Sequence, residues 1–470
     1  MKKHVGWSYS PYQPLLETTP LYVCRVVPHT NSVTLYWLPD ADGAEYTVFC
    51  KASEESAFRE AGKTTACEFC IGGLKLHQDY DFFISYGDKK SSVRKARTGE
   101  AVGTVVNYLH PADNSYAFSG RFLCSPTLLQ FPDGDLLASM DLFEGGAPQN
   151  LTLLFSSHDN GKSWSYVSEL FPCFWAKPFF HRGVLYVLSC STEYGDLLIG
   201  ASYDKGKSFT EPVILLRGSN GKKGNTGIHK NPQPVVEYQG RIYNTLEWGS
   251  WGKHFHAPMV MSAKADADLL DPNSWSFSEP VCYNENWAGL PHGPSTGNIE
   301  GCLTVAPDGK LYNIMRYDMR HLDPNYGLVI RYLVDTEHPE APLTFDTAIP
   351  FPANHSKFEI KKDQVTGIYY TICNRITCSE DSNKRTLLSL MRSTDTLHWE
   401  LVCDLMDYRK EDPDGTQIGF QYVDFVFQGE DILYLCRTAL NGAENYHNSN
   451  YITFHRIENF RHLHHLRHLR

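Results

Sequence analysis

Two octets constrain this chain more than any other feature: Ser157-His158-Asp159-Asn160-Gly161-Lys162-Ser163-Trp164 and Ser202-Tyr203-Asp204-Lys205-Gly206-Lys207-Ser208-Phe209. Both read Ser-x-Asp-x-Gly-x-x-aromatic. The pattern encodes a hairpin turn in which Ser and Asp hydrogen-bond nearby backbone, Gly takes a positive φ and the aromatic fills the gap between strands. The octets begin 45 residues apart, the length of one four-stranded antiparallel unit, so repeated units around an axis are expected. A degenerate third copy, Ser393-Thr394-Asp395-Thr396-Leu397-His398-Trp399, is one residue short and lacks the Gly.

The rest of the chain agrees. From about 115 to 460, turn signals such as Phe131-Pro132-Asp133-Gly134, Ala306-Pro307-Asp308-Gly309 and Phe427-Gln428-Gly429-Glu430 each precede an apolar run. Hairpins repeated over that length predict an all-β, six-bladed β-propeller. A small β-sandwich is expected before it, in residues 1–100. Its signs are the alternation Ser32-Val33-Thr34-Leu35-Tyr36-Trp37, the strand Glu45-Tyr46-Thr47-Val48-Phe49 and the run Leu74…Asp79-Tyr80-Asp81-Phe82. The Trp on one strand and the Tyr-x-Phe late in the module resemble a fibronectin type III domain. Residues 101–114 read as a linker. The His- and Arg-rich end, 461–470, has no core pattern and reads as a disordered tail, not a metal site.

Composition narrows the function. The net charge is −11, with Lys and Arg scattered, which argues against a nucleic-acid partner. An anionic substrate would need local cations. No 18-residue apolar run and no leader-like segment occurs, so neither a membrane nor secretion is expected. The 13 cysteines lack metal-ligand spacing and are expected to be reduced, in a cytoplasmic protein that needs no metal or other cofactor.

The two octets are Asp boxes, and with them the chain resembles the sialidase superfamily of β-propeller glycosidases over about 115–460. In that family the site lies at one mouth of the central channel. Three arginines clamp the substrate carboxylate, a Tyr assisted by a Glu is the nucleophile, and an Asp on a loop is the acid/base. The segment from Gly297-Asn298-Ile299-Glu300 to Ile314-Met315-Arg316 is similar to the family hairpin that carries the general-base Glu and one arginine sixteen residues later. By that resemblance Glu300 relays a proton and Arg316 binds the substrate. Gly419-Phe420-Gln421-Tyr422-Val423-Asp424 resembles the nucleophile strand, with Val423 in place of a Ser, which makes Tyr422 the nucleophile. Arg385, eight residues before the degenerate octet, resembles a second carboxylate-binding arginine. The first clamp position departs from the pattern: Cys124 stands where the arginine belongs, and Arg121 is three residues early, on the opposite face of a regular strand.

The acid/base stays open among Asp141 and Glu144, on a glycine-bearing loop, and Glu247, set among aromatics in Leu246-Glu247-Trp248. His229 and Trp248 are candidate substrate contacts, the first as a polar group and the second as a stacking ring. The expected function is an exo-acting glycoside hydrolase that removes a terminal, acidic sugar with retention from an oligosaccharide or glycoside. The alternatives are a polysaccharide lyase acting on a uronate-containing glycan, with His229 and a Tyr abstracting the proton, or a non-catalytic carbohydrate-binding propeller.

Overall fold

The computed structural model describes residues 5–7, 21–219, 224–353 and 355–465. It is all-β, with helix confined to short 3-10 turns. Two sheets make the N-terminal module. One orders Val23–Pro28, Val33–Trp37 and Glu68–Ile71; the other is built on Tyr46–Ala52 and Asp79–Tyr86 with Arg59–Thr64, Lys89–Lys90 and Arg94–Arg97 around them. Alternate residues of Val33–Trp37 and Tyr46–Ala52 are buried between the sheets, as a period-two pattern requires. Trp37 packs edge-on against Tyr46 at 5.4 Å.

Six sheets of four or five strands then follow one another along the chain. Each opens with an axial strand: Phe122–Gln130, Phe174–His181, Gly227–His229, Asn298–Val305, Lys361–Lys362 and Gly419–Gln428. The apolar clusters lie between consecutive sheets. One joins the first sheet to the second through Leu137, Leu154 and Leu185, and the next joins second to third through Leu188 and Leu246. Tyr243 and Leu303, Ile314 and Tyr369, and Leu390 and Phe425 are members of the three that follow. The cycle returns to its start where Leu153 and Trp164 of the first sheet pack on Leu435 and Phe454 of the sixth. Sheets stacked face to face in a cycle are the architecture of a β-propeller.

The octets occupy equivalent places, between the third and fourth strands of the first, second and fifth sheets. In the first, Ser157 Oγ accepts from Gly161 N at 2.8 Å and Asp159 Oδ1 accepts from Ser163 N at 2.8 Å. The second repeats both bonds at 2.8 and 2.9 Å. In the third, Thr396 takes φ 68 where the others have Gly, and its amide donates to Ser393 Oγ.

Two boundaries differ from expectation. The stretch 101–114 is not a free linker: Thr104–Tyr108 pairs antiparallel with Tyr451–Ile457 and completes the sixth sheet. Val105, Val106 and Tyr108 are buried there, and their apolar side chains supply the reason. Val5–Trp7 pairs with Ser165–Leu170 of the first sheet instead of joining the sandwich. Residues 1–4 and 8–20 lie outside the described residues. The sandwich docks through two buried guanidiniums. Arg25 donates from Nε to Val106 O and from Nη2 to Val105 O, both at 2.8 Å, and Arg94 pairs with Asp113 at 2.7 Å. At the other end, the expected tail begins with a 3-10 turn, Phe460–His465, in which Arg461 grips Asp363 with two bonds of 2.7 Å. Residues 466–470 lie outside the described residues.

The closing interface can be tested at two glycines. A Cβ on Gly161 (φ +86) would sit 2.1 Å from the Phe454 ring, whereas one on Gly134 (φ +94) meets nothing within 4 Å. Gly134→Ala should therefore cost about 1 kcal/mol from backbone strain alone, and Gly161→Ala about 2–4 kcal/mol, because strain and overpacking add. Urea unfolding of the two variants measures the difference, and equal costs would show that the octet does not seal the first sheet against the sixth.

Candidate active site

A cavity of about 370 Å³ opens where the six sheets meet, lined by strand residues of five of them and, beside the fifth, by the loop residues His355, Asn383 and Arg385. A repeated backbone device builds its wall. Four of the axial strands break register at matching places: between Cys124 and Thr127, Phe174 and Lys177, Ile299 and Cys302, and Gln421 and Asp424. Inside each bulge one residue takes a left-handed φ: Ser125 (46), Trp175 (57), Glu300 (56) and Tyr422 (55). All four line the cavity. Non-glycine residues avoid this region, and a bulge re-aims a side chain that regular alternation would send elsewhere.

Glu300, Arg316 and Tyr422 meet in one cluster. The Tyr422 hydroxyl donates to Glu300 Oε1 at 2.6 Å. Arg316 Nη1 donates to Glu300 Oε2 at 2.8 Å and to the Tyr422 oxygen at 3.3 Å. Asn231 Nδ2 adds a 3.2 Å bond to Glu300 Oε1. Burial favours the neutral acid at Glu300, but the Arg316 charge and the two hydrogen bonds outweigh it, so its pKa is lowered and it stays ionised. Tyr422 moves the other way. Burial, then the Glu300 charge, push its phenol up to about 12 against the pull of three guanidiniums. Unaided it is a weaker nucleophile than a free tyrosine, and a proton acceptor stands 2.6 Å away.

Two further arginines face this cluster. Arg385 is buried; its Nη atoms donate to Ser356 Oγ, Gln421 Oε1 and His355 O, while its Nε has no partner. Burial and the neighbouring Arg316 charge bring its pKa down to about 10. Arg437, buried as well, donates to His447 O and stacks 5.1 Å over the Tyr422 ring, again with Nε unpaired. Sequence reading missed Arg437. It supplies a third guanidinium from the second strand of the sixth sheet, where the resemblance had looked for one on the first sheet. Burial and nearby arginines hold His355 near 4 and His447 near 3, so both are neutral and add no charge.

Other candidates are placed differently. Arg121 is not in the cavity wall; it forms an ion pair with Glu144, Nε to Oε1 at 3.0 Å, and Glu144 is thereby held ionised outside the cavity. Asp141 is fully buried within the first sheet, accepting from Thr152 Oγ1, and burial raises it to about 7. Trp248 packs among the side chains between the second and third sheets, away from the cavity. His229 does line the cavity, and Glu247 stands behind it, 2.7 Å from Nδ1. Burial drives His229 down, but the Glu247 bond and the surrounding carboxylates win and its pKa is raised; burial raises Glu247 too.

Only two carboxyl groups line the cavity among the described residues, Glu300 and Glu193. Glu193, on the turn after Val184–Cys190, was not foreseen from sequence. Burial raises its pKa, and Gln149 Nε2 donates to it at 3.1 Å.

No protein-family model matches this chain, and no curated protein matches its sequence. Solved structures do match. The α-L-arabinanase of Penicillium chrysogenum, complexed with arabinobiose, is 14% identical, covers 77% of this chain and 99% of its own, and superposes with a TM-score of 0.52. The NanB sialidase of Streptococcus pneumoniae is 9% identical, covers 94% and 93% of the two chains, and scores 0.49. A PL25 ulvan lyase is 10% identical over the same shares and scores 0.43. At these identities the likeness shows the fold alone, and the arabinanase carries it.

Asp141 offers a test of this placement. Its pKa is raised to about 7 in the fold from an ordinary 3.8, so the stability gained by keeping it protonated is complete below about pH 4 and is lost as the pH rises through 7. Asp141→Asn should remove that loss. Its unfolding midpoint should fall less than that of wild type between pH 4 and 7, with turnover unchanged. A loss of turnover with no change in the pH slope would return Asp141 to the chemistry.

Proposed function

We propose that this chain is an exo-acting glycoside hydrolase on a six-bladed, sialidase-like propeller, removing a terminal acidic sugar with retention of configuration. The observation that carries the reading is the Tyr422–Glu300 hydrogen bond of 2.6 Å inside a cavity walled by Arg316, Arg385 and Arg437. Three guanidiniums against one ionised carboxylate leave the wall cationic, which suits an anionic sugar. A neutral tyrosine also approaches such a sugar more easily than a carboxylate would. The six sheets, each read as one blade, support the architecture. The fibronectin type III-like reading of the N-terminal module draws support from Tyr80, at the start of its strand, whose hydroxyl accepts from Lys75 N at 2.9 Å.

In this mechanism the sugar carboxylate binds the arginines and the anomeric carbon faces Tyr422. The Tyr422 oxygen bonds to that carbon as the glycosidic C–O bond breaks, and the phenolic proton passes to Glu300. Glu193 gives its proton to the departing oxygen, a role its raised pKa suits. Water, deprotonated by Glu193, then attacks the glycosyl-tyrosine; the phenolate regains its proton from Glu300 and the sugar leaves with its original configuration.

A second reading is favoured by His229, which lines the cavity with Nδ1 fixed on Glu247. In a lyase, His229 or Tyr422 would take the proton beside a uronate carboxylate held by arginine. Lyase products are unsaturated and absorb in the near ultraviolet; hydrolase products do not.

The deciding experiment is a screen of fluorogenic glycosides, sialosides and uronides included, beside oligosaccharides with the same terminal sugars. Tyr422→Phe should lose at least about 10³-fold in kcat on all of them. In kcat/KM, which reads the first step, Glu193→Gln should lose about 10²–10⁴-fold on oligosaccharides, whose leaving groups need a proton, and little on aryl glycosides, whose leaving groups do not, while kcat falls on both because Glu193 also activates the water. Full activity of Tyr422→Phe would end the hydrolase mechanism, and equal kcat/KM losses of Glu193→Gln on both substrates would remove Glu193 as the acid. Arg437→Ala should raise KM for acidic sugars about tenfold or more; an unchanged KM would take it out of the clamp.

A further inference from the structure

Beside the catalytic cavity lies a second and larger hollow, about 730 Å³ against 370 Å³, and the two share Trp251 and Arg320. Both side chains are held in place. Trp251 opens a 3-10 turn capped by Ser250; its amide donates to the Tyr194 hydroxyl at 2.9 Å, and its ring meets His256 edge-on at 4.6 Å. Arg320 is gripped by Asp318 through bonds of 2.8 and 3.0 Å, and Asp318 also accepts from Thr296 Oγ1 at 2.7 Å. The Arg320 guanidinium lies 5.3 Å over the Trp251 ring. An indole fixed by its backbone and backed by a fixed cation is a stacking platform, not a mobile surface residue.

The platform has a direction relative to the chemistry. Tyr194, which holds Trp251, follows Glu193 in the chain, and Glu193 is the group assigned above to protonate the leaving oxygen. Glu193 and Trp251 line the same cavity, and Trp251 continues from it into the hollow. We propose that the hollow is the binding site for the leaving group, and that this leaving group is a chain of at least two neutral sugar residues, the first stacked on Trp251. Neutral residues are specified because the one arginine and the one carboxylate in the lining, Arg320 and Asp318, are paired with each other. The length follows from the volume: a hollow twice the size of the cavity that takes one terminal sugar holds roughly two more rings. The natural substrate is then the acidic end of an oligosaccharide, not a small glycoside.

The proposal rests on the hydrolase reading for which side leaves, and the test separates the two. His321 lines only the hollow and is exposed, so His321→Trp plugs the hollow without touching the catalytic cavity. With sialyllactose and 4-methylumbelliferyl sialoside, or the corresponding pair for whichever acidic sugar proves active, the plug should lower kcat/KM about tenfold for the trisaccharide and less than twofold for the aryl glycoside. Equal effects on both, or no effect on either, overturn the proposal. Where wild type turns over no glycoside, the hydrolase reading fails and the hollow is judged by binding alone. Saturation-transfer NMR with lactose, cellobiose and maltose should then give signals with wild type that vanish with His321→Trp. Absence of signal from all three sugars would overturn the site.

Discussion

Asp424 is the constraint on which the site depends. It is fully buried two residues after Tyr422, and it receives Lys177 from the second sheet, Lys361 from the fifth at 3.1 Å, and the Leu128 amide of the first at 3.2 Å. Lys361 also meets Glu359, which holds Lys357, and Lys357 donates to Val423 O at 3.1 Å. Burial would raise the Asp424 pKa, but the lysines around it prevail and it stays ionised. A left-handed tyrosine in a strand costs about 1–3 kcal/mol and persists only where its surroundings over-determine it. This ion cluster ties both residues after Tyr422 to other sheets. Removing one member would leave the others charged and buried, which is why such clusters hold geometry more firmly than they add stability.

The electrostatics of the cavity follow from that fixed backbone. Arg316 is neutralised by Glu300, but Arg385 and Arg437 bond only neutral oxygens and each leaves a buried Nε unpaired. Burial first, then the Arg316 charge and, less, that of Arg437, lower the pKa of Arg385. Buried donors without acceptors and like charges without a counter-ion are costly in a closed protein. An anion bonded to both guanidiniums would supply those acceptors and that counter-charge. Tyr422 is subject to the opposite pressure: burial first, then the ionised Glu300 beside it, raise its phenol.

What the sequence disclosed and what it hid divide along physical lines. The octets were legible because their hydrogen bonds run between residues two to four apart. Glu300 and Arg316 were legible because a hairpin fixes their spacing. Arg121, Asp141, Glu144 and Glu247 lie outside the cavity wall: Arg121 and Glu144 flank the first hairpin and pair with each other, and Asp141 and Glu247 are buried on the second strands of the first and third sheets, where the packing of whole sheets decides what a side chain faces. Arg437 and Glu193 sit on a second strand and a turn, where only the stacking of whole sheets decides what they face. The strand Thr104–Tyr108 was read as linker because its partner, Tyr451–Ile457, lies more than 340 residues away.

That distant pairing gives the N-terminal module a place in the frame of the candidate site. The sixth sheet carries Tyr422 and Arg437, and its outer strand, Thr104–Tyr108, comes from the chain just after the sandwich. Arg25 of the sandwich bonds the carbonyls of Val105 and Val106, where that strand shifts register against Tyr451–Ile457. The core of the sandwich continues without a break into Tyr108, Leu440 and Tyr451. The sheet that presents Tyr422 is thus sealed against the first sheet on one side and braced by the sandwich at its edge. A module that looks like an appended spacer is, by its contacts, part of the frame that keeps Tyr422 within 2.6 Å of Glu300.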